Sequence, residues 1–260
     1  MFDSLLRFLH ILWHRGQQQM VMYSMLIIGL YFFWDPMWLW GSLIAFIIIS
    51  MFGGEIGLHR YFCHKTFTCS KGVERFLLVC SILCGSGPTI VWVGLHRTHH
   101  RHADTDEDPH SPKRTPLLNY LHLNEIKNLD LVNYAPDLLK DPVHMWVHSN
   151  YNKIYLFTLI IAALISPYIC LYLLVIPAIL HTHMLGLVVT PNHIYGYQNF
   201  KNKAHDESRN NPLIALLTFG AGWHNNHHNN QGSYTTKVKP WEFDISGWVI
   251  KHLLAKEVKQ

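Results

Sequence analysis

The chain has 260 residues, 49% of them hydrophobic and 15% charged, with a net charge of +4 and 20 histidines. That is apolar enough for a membrane protein with a sizeable polar part, and the modest charge gives no ground for a nucleic-acid partner. The five cysteines (Cys63, Cys69, Cys80, Cys84, Cys170) form no C-x-x-C pair, and an odd count scattered in apolar surroundings argues against a disulfide framework and suits small hydrophobes in a reducing setting.

The first twenty residues set Arg7, His10, His14 and Arg15 among apolar neighbours. That suits either an amphipathic approach to a bilayer surface or a frayed end, rather than a cleavable signal. All 21 Lys and Arg fall within 1–15, 60–153 and 201–260. The two gaps between them are the most apolar regions, and each is split by a proline turn, Asp35-Pro36 and Ser166-Pro167. Each gap reads as a helical hairpin, with spans near 20–34, 38–57, 154–166 and 168–189. Basic residues mark the cytoplasmic side, so 58–153, 190–260 and both termini are expected there. Trp34, Trp38, Trp40 and Tyr168 near the turns fit an aromatic belt. Phe76–Cys84 is too short to cross before Gly85, Gly87 and Pro88, so it reads as an interfacial or protein-buried helix. The expectation is an all-α membrane protein, one domain over 1–260, with four transmembrane helices in two hairpins and a cytoplasmic helical cap.

The cap carries the chemistry. His96-Arg-Thr-His99-His100 and His224-Asn-Asn-His227-His228 repeat one spacing, and His59 and His64 lie on a third short segment. Residues i, i+3 and i+4 share a helix face, so each H-x-x-H-H is expected to aim three imidazoles at one point. The spacing of His59 and His64 does not share a face of an ideal helix. That segment either leaves regular helix or serves two different metals. So many imidazoles suggest two ions, and all-nitrogen ligation suits iron, copper or zinc. A zinc-storage tract would repeat histidine in a disordered loop. A bis-haem protein would pair histidines on facing spans, whereas His181 and His183 share one helix. His183 inside a span is either a functional group or a hydrogen-bonded structural one. His102, His122, His144, His148 and His205 have no ligand spacing; of the remaining histidines His110 is the best placed to touch a ligand. Two metals beside an apolar bundle suggest oxygen chemistry on a lipid-like chain, because an unactivated methylene offers no acidic proton and no leaving group.

These residues resemble the membrane fatty acid desaturase family, in its acyl-CoA/acyl-lipid delta-9-like branch. The resemblance rests on H-R-x-x-x-H at His59–His64, W-x-G-L-H-R-x-H-H with D-x-D-P-H between Trp92 and His110, and G-x-G-W-H-N-N-H-H at Gly220–His228. It implies two iron ions (Fe2+/Fe3+) held by His59, His64, His96, His99, His100, His193, His224, His227 and His228. It implies that Asp104, Asp108 and His110 contact those ligands. Lys113 and Arg114 match a basic pair that would meet the substrate head group, and would equally flank anionic lipid. Two departures stand out: Val189 occupies the position of an asparagine that holds a metal-bound water in the family, and Gly94 replaces an arginine of the animal acyl-CoA enzymes. The implied reaction is O2-dependent desaturation of a long fatty acyl chain to a cis alkene. A hydroxylase or acetylenase with the same cage is the alternative, and a non-catalytic metal or haem protein the rival from another class. The acyl carrier could be CoA, a lipid or acyl-carrier protein. No haem-binding b5 module or G-x-G-x-x-G fingerprint is present, so electrons are expected from a separate donor such as ferredoxin or cytochrome b5, in a bacterial plasma membrane.

Overall fold

Asp35 ends one helix and starts the next. Its backbone is extended, its side chain accepts the Met37 N–H at 3.0 Å, and Pro36 follows at the first helical position. The computed structural model describes residues 17–113, 115–123 and 129–259; the N-terminal segment read as either amphipathic or frayed, and Arg114, lie outside them. The chain turns at Asp35 between α1 (Gln17–Phe33) and α2 (Leu39–Ile47), and α2 runs on as a π-helix over Ile48–Cys63. There follow α3 (Lys71–Leu83), α4 (Thr89–His102), the short α5, α6 and α7 (Pro116–Tyr120, Leu131–Tyr134, Pro136–Leu139) and α8 (Pro142–Ile165). A π-helical stretch Ile169–Val175 leads into α9 (Ile176–Val189), and α10 (Pro212–Leu217), α11 (His224–Asn229) and α12 (Ile245–Val249, prolonged by Ile250–Leu254) complete the helices.

The protein is mostly helical, as expected. The departure is a ribbon in which β1 (Phe67–Thr68) pairs antiparallel with β2 (Glu257–Val258), tying the end of the chain to the segment after His64. Extended backbone there has nowhere else to place its hydrogen bonds, and Lys256 and Lys259 N–H donate to Thr68 and Thr66 O at 2.8 Å.

Two helices, Pro36–Cys63 and Ile169–His193, are long and apolar enough to cross a bilayer, with mean hydropathy 1.8 and 1.9. The two proline turns meet at one end: Asp35 N–H donates to Tyr172 Oη at 2.7 Å, and Trp38 stacks on Tyr168 with ring centres 5.7 Å apart. α8 begins at Pro142, well before the expected 154, because Asp141 caps it through the Val143 and His144 amides. Ile27, Tyr31 and Phe32 on α1, Ile44 on α2, and Phe157, Leu164 and Ile165 on α8 point outward and are exposed. An apolar surface of that extent is matched by a hydrocarbon environment. All five cysteines are free.

α3 lies where the short apolar run was expected, with Leu77, Leu78, Cys80 and Ser81 buried against Ile48–Cys63 and Phe76 and Val79 exposed. The packing is backbone-close. Ser81 Oγ donates to Gly53 O at 2.9 Å, and a Cβ on Gly53 would collide with the Cys80 carbonyl. The neighbour is backbone and cannot rotate away. We therefore expect Gly53→Ala to destabilise the fold by about 1–3 kcal/mol, read as a lower thermal unfolding midpoint of the detergent-solubilised protein.

Candidate metal centre

The H-x4-H segment sits in the π-helix. Residues five apart are about 140° apart around an α-helix, but only about 50° apart in a π-helix of about 4.4 residues per turn. His64 N–H donates to His59 O at 3.1 Å, the i to i+5 bond of such a helix, and the two rings stand 5.0 Å apart. So the segment leaves α-geometry, and both histidines serve the same point.

The H-x-x-H-H units do the opposite of what their spacing suggested. The ring nitrogens form two groups, His59, His64, His96, His100 and His227 in one, and His99, His193, His224 and His228 in the other. Within each group the ligand atoms all lie within 4.8 Å of one another. Each unit is therefore split: its i and i+4 histidines join one group and its i+3 histidine joins the other. Adjacent helix residues are about 100° apart in azimuth, so i+3 and i+4 cannot face one ion together. α4 gives two rings to the first group and one to the second; α11 does the reverse. The expectation of three imidazoles at one point per unit is corrected accordingly.

The donor set fits cations. His59 and His227 Nε2 are 2.9 Å apart, His227 and His100 3.0 Å, His100 and His96 3.0 Å, and His193 and His224 2.9 Å. With metal–nitrogen bonds of about 2.1 Å, ligands at right angles are about 3.0 Å apart and tetrahedral ones about 3.4 Å apart. The spacing suits an ion of octahedral preference. The Nε2 atoms of His64, His99 and His228 are buried with no hydrogen-bond partner, a cost that a bound cation removes. Burial, reinforced by the neighbouring rings, pushes His96, His100, His224 and His227 well below the usual imidazole range. They are held neutral, the form that ligates metals.

Carboxylates fix the other ring nitrogen of four histidines. Nδ1–H of His59 donates to Glu55 at 2.9 Å, that of His99 to Asp108 at 2.9 Å, that of His193 to Asp104 at 2.7 Å and that of His228 to Asp206 at 2.8 Å. Each bond turns an Nε2 lone pair toward the group's centre. Burial opposes charge on Asp108, but the His99 ring outweighs it and holds the carboxyl below the usual range. Asp108 reciprocally raises His99 against the effect of burial. Among the described residues, the first group has one such carboxylate and the second has three.

Asp104 and Asp108 were singled out from the sequence; Glu55 and Asp206 were not. Glu55 lies one helical turn before His59, a spacing that could have exposed it. Asp206 is 22 residues from His228 and carries no local signal. Glu55 is further held by Arg60, whose Nε donates to it at 2.7 Å and whose remaining nitrogens reach both oxygens of Asp244 at 2.7 and 3.0 Å.

His193 follows α9 on a tight turn and enters the second group from a separate part of the chain. Beside it Asn192 is fully buried, with neither side-chain amide atom partnered. His110 is packed near His99, ring centres 5.9 Å apart, and burial lowers it to about 3; no hydrogen bond joins it to a ligand ring. Lys113 is exposed. His183 is bonded to Tyr23 at 2.9 Å and Tyr120 at 3.2 Å, a structural arrangement, while His181 is buried against Gly54.

A cavity of about 230 Å³ abuts the first group. It is lined by Val91, Trp92, Leu95, Leu185 and Val189 together with His96, His110, Gln18 and Gly85. Trp92 stacks on His96 at 4.9 Å and fixes that ring.

His99→Ala and His227→Ala strike different groups, so each variant should retain about half of the bound metal while remaining folded, measured by elemental analysis of the purified protein. Asp206→Asn should weaken metal retention roughly 10–100-fold, read by challenge with a chelator.

A family profile described as fatty acid desaturase matches residues 34–237. The chain is 32% identical over 221 residues to an sn-1 stearoyl-lipid 9-desaturase of Anabaena variabilis, covering 82% of this chain and 79% of the relative. It is 31% identical over 228 residues to a hex-5-enoyl-[acyl-carrier protein] acetylenase of Moorena producens, covering 79% and 70%. An acyl-CoA 5-desaturase of Anemone leveillei is 31% identical over 238 residues, covering 88% and 73%. Several further relatives are acyl-lipid 9-desaturases. With the histidine geometry and these likenesses together, the chain belongs to the fatty acid desaturase family and is an oxidoreductase of that family.

Proposed function

We propose that the protein desaturates a long fatty acyl chain to a cis alkene at a di-iron centre, using O2 and electrons from a separate donor. The observation that carries the reading is the pair of histidine groups of five and four rings, the first of which meets a largely apolar cavity through His96. His59, His64, His96, His100 and His227 would hold one iron, and His99, His193, His224 and His228 the other. When bound, the irons supply O2 activation and the oxidising power that an unactivated methylene requires.

The chain's own part is positioning. Val91, Leu95, Leu185 and Val189 bind the acyl chain and keep water from the methylenes next to the metals. Trp92 holds both the substrate wall and the His96 ring, so the bound chain and a ligand are located by one side chain. Glu55, Asp104, Asp108 and Asp206 keep their histidines in the tautomer that leaves Nε2 free. Regioselectivity then follows from how far the chain enters the cavity.

The surrounding topology is four crossings in two hairpins, with 58–153 and 190–260 on the cytoplasmic face of a bacterial plasma membrane. The lysine-free and arginine-free stretches and the outward apolar side chains of α1, α2 and α8 support it. Basic residues on that face would steer an acidic donor such as ferredoxin, or cytochrome b5. Lys113 and Arg114 would meet the acyl carrier, whether lipid, CoA or acyl-carrier protein; the relatives' names include all three. The acetylenase among the relatives keeps acetylenation as the second reading.

Expression in a host lacking its own desaturase, followed by mass spectrometry of the fatty acids, is the test. The expected product has lost two hydrogens from a saturated chain. Loss of four hydrogens, or gain of one oxygen, would assign acetylenation or hydroxylation. His99→Ala should abolish the product with membrane insertion intact.

A further inference from the structure

The C-terminal segment builds a second cavity, of about 540 Å³, far along the chain from the substrate cavity. α12 forms one wall. Its Val249 and Ile250 are buried in the protein, while Ile245, Trp248 and Leu253 are exposed beside exposed Lys251 and His252. Lys237, Phe243 and Tyr234 line the cavity from the segment before the helix.

Its charge is positive. Asp244 also lines the cavity, but its carboxylate is 1% exposed and fully engaged. It accepts from Arg60 at 2.7 and 3.0 Å, from Thr235 Oγ1 at 3.0 Å, and from the Thr236 and Gly247 amides at 2.9 Å. Lys237 and Lys251 therefore face the cavity without an unpaired acidic counterpart among its described lining residues.

Its depth is set by two contacts. Ser246 N–H donates to Phe219 O at 3.1 Å, and the Phe219 ring lies 5.9 Å from that of Phe46 on the apolar α2. Phe219, bonded to the start of α12, thus meets the apolar α2, while Ile245, Trp248 and Leu253 of α12 stay exposed. A helix with apolar side chains at hydrocarbon level and basic ones beside them lies in a bilayer interface. Lysine stems extend along the apolar boundary and put their charge at the phosphate layer.

We infer that this cavity binds the phosphate head group of an anionic phospholipid of the inner leaflet, with Lys237 and Lys251 on the phosphate and Trp248 against the glycerol and upper acyl region. The exposed Ile245, Trp248 and Leu253 beside Lys251, on a segment anchored to α2 through Phe219, favour lipid over a water-soluble acidic protein, which would leave those side chains uncovered. This rests on the membrane reading above.

The full-length protein, purified in non-ionic detergent, is titrated with phosphatidylglycerol and with phosphatidylcholine of identical acyl chains, and retained lipid is counted by native mass spectrometry. Phosphatidylglycerol should be retained selectively, and Lys237→Gln/Lys251→Gln should weaken its retention about tenfold or more, with metal content unchanged. Glycerol 3-phosphate, the head-group chemistry without chains, should not displace it. Equal retention of the two lipids, undiminished retention in the double variant, or displacement by glycerol 3-phosphate would overturn the inference. So would a double variant that keeps the lipid but loses turnover with an acidic ferredoxin, which would make the surface a donor dock. Carbonate extraction of the unaltered chain separates the two levels: release from membranes would overturn the membrane reading as well, whereas a retained protein without lipid selectivity overturns this inference alone.

Discussion

The fold answers above all to one electrostatic constraint: nine imidazoles are packed into two groups with their ring nitrogens pointed at each other. Lone pairs facing lone pairs at 2.9–3.0 Å repel, and buried nitrogens without partners are costly. The arrangement is sustainable because the far side of four rings is satisfied by carboxylates and the near side converges where cations fit. The π-helix that turns His59 and His64 together serves the same end, as does the turn that delivers His193 to the second group.

The ligand rings are not supported equally. The group containing His99 is backed by Asp104, Asp108 and Asp206, while the group containing His59 is backed by Glu55. More carboxylate partners make more basic rings, so two metals held there would differ electronically. On the Glu55 side, compensation comes from further away. Arg60 is buried between Glu55 and Asp244, and Asp244 in turn caps α12. A buried guanidinium is tolerable because its donors reach carboxylates or the Tyr234 carbonyl at 2.7–3.0 Å. The chain of contacts ties the C-terminal helix to the ring of His59.

The family's members named above carry different acyl carriers and two different outcomes on related sequences. Under the proposed reading, the rings would determine what bound metals can do and the lining of the cavity which methylene is presented. Val189 lies in the wall of the cavity beside His96, and its carbonyl accepts from Asn119. The orphaned amide of Asn192 sits one residue from His193 rather than in the expected register.

The sequence by itself determined which histidines recur at close spacing, the helical class and the places where the helices turn, because imidazole spacing, charge gaps and proline are local properties. It located Asp108 near His99 and Asp104 within the same loop. It misjudged how each H-x-x-H-H is used, since the spacing places rings on a helix but does not say what stands on either side of it. Tertiary structure decided that His99 and His100 face different groups, because α4 runs between partners supplied by α11, the π-helix and the turn at His193. It also decided that Asp206 holds His228 and that Asp244 reaches Arg60 across 184 residues. Those pairings depend on which distant segments share a dry space, and no periodicity in one stretch of chain records that.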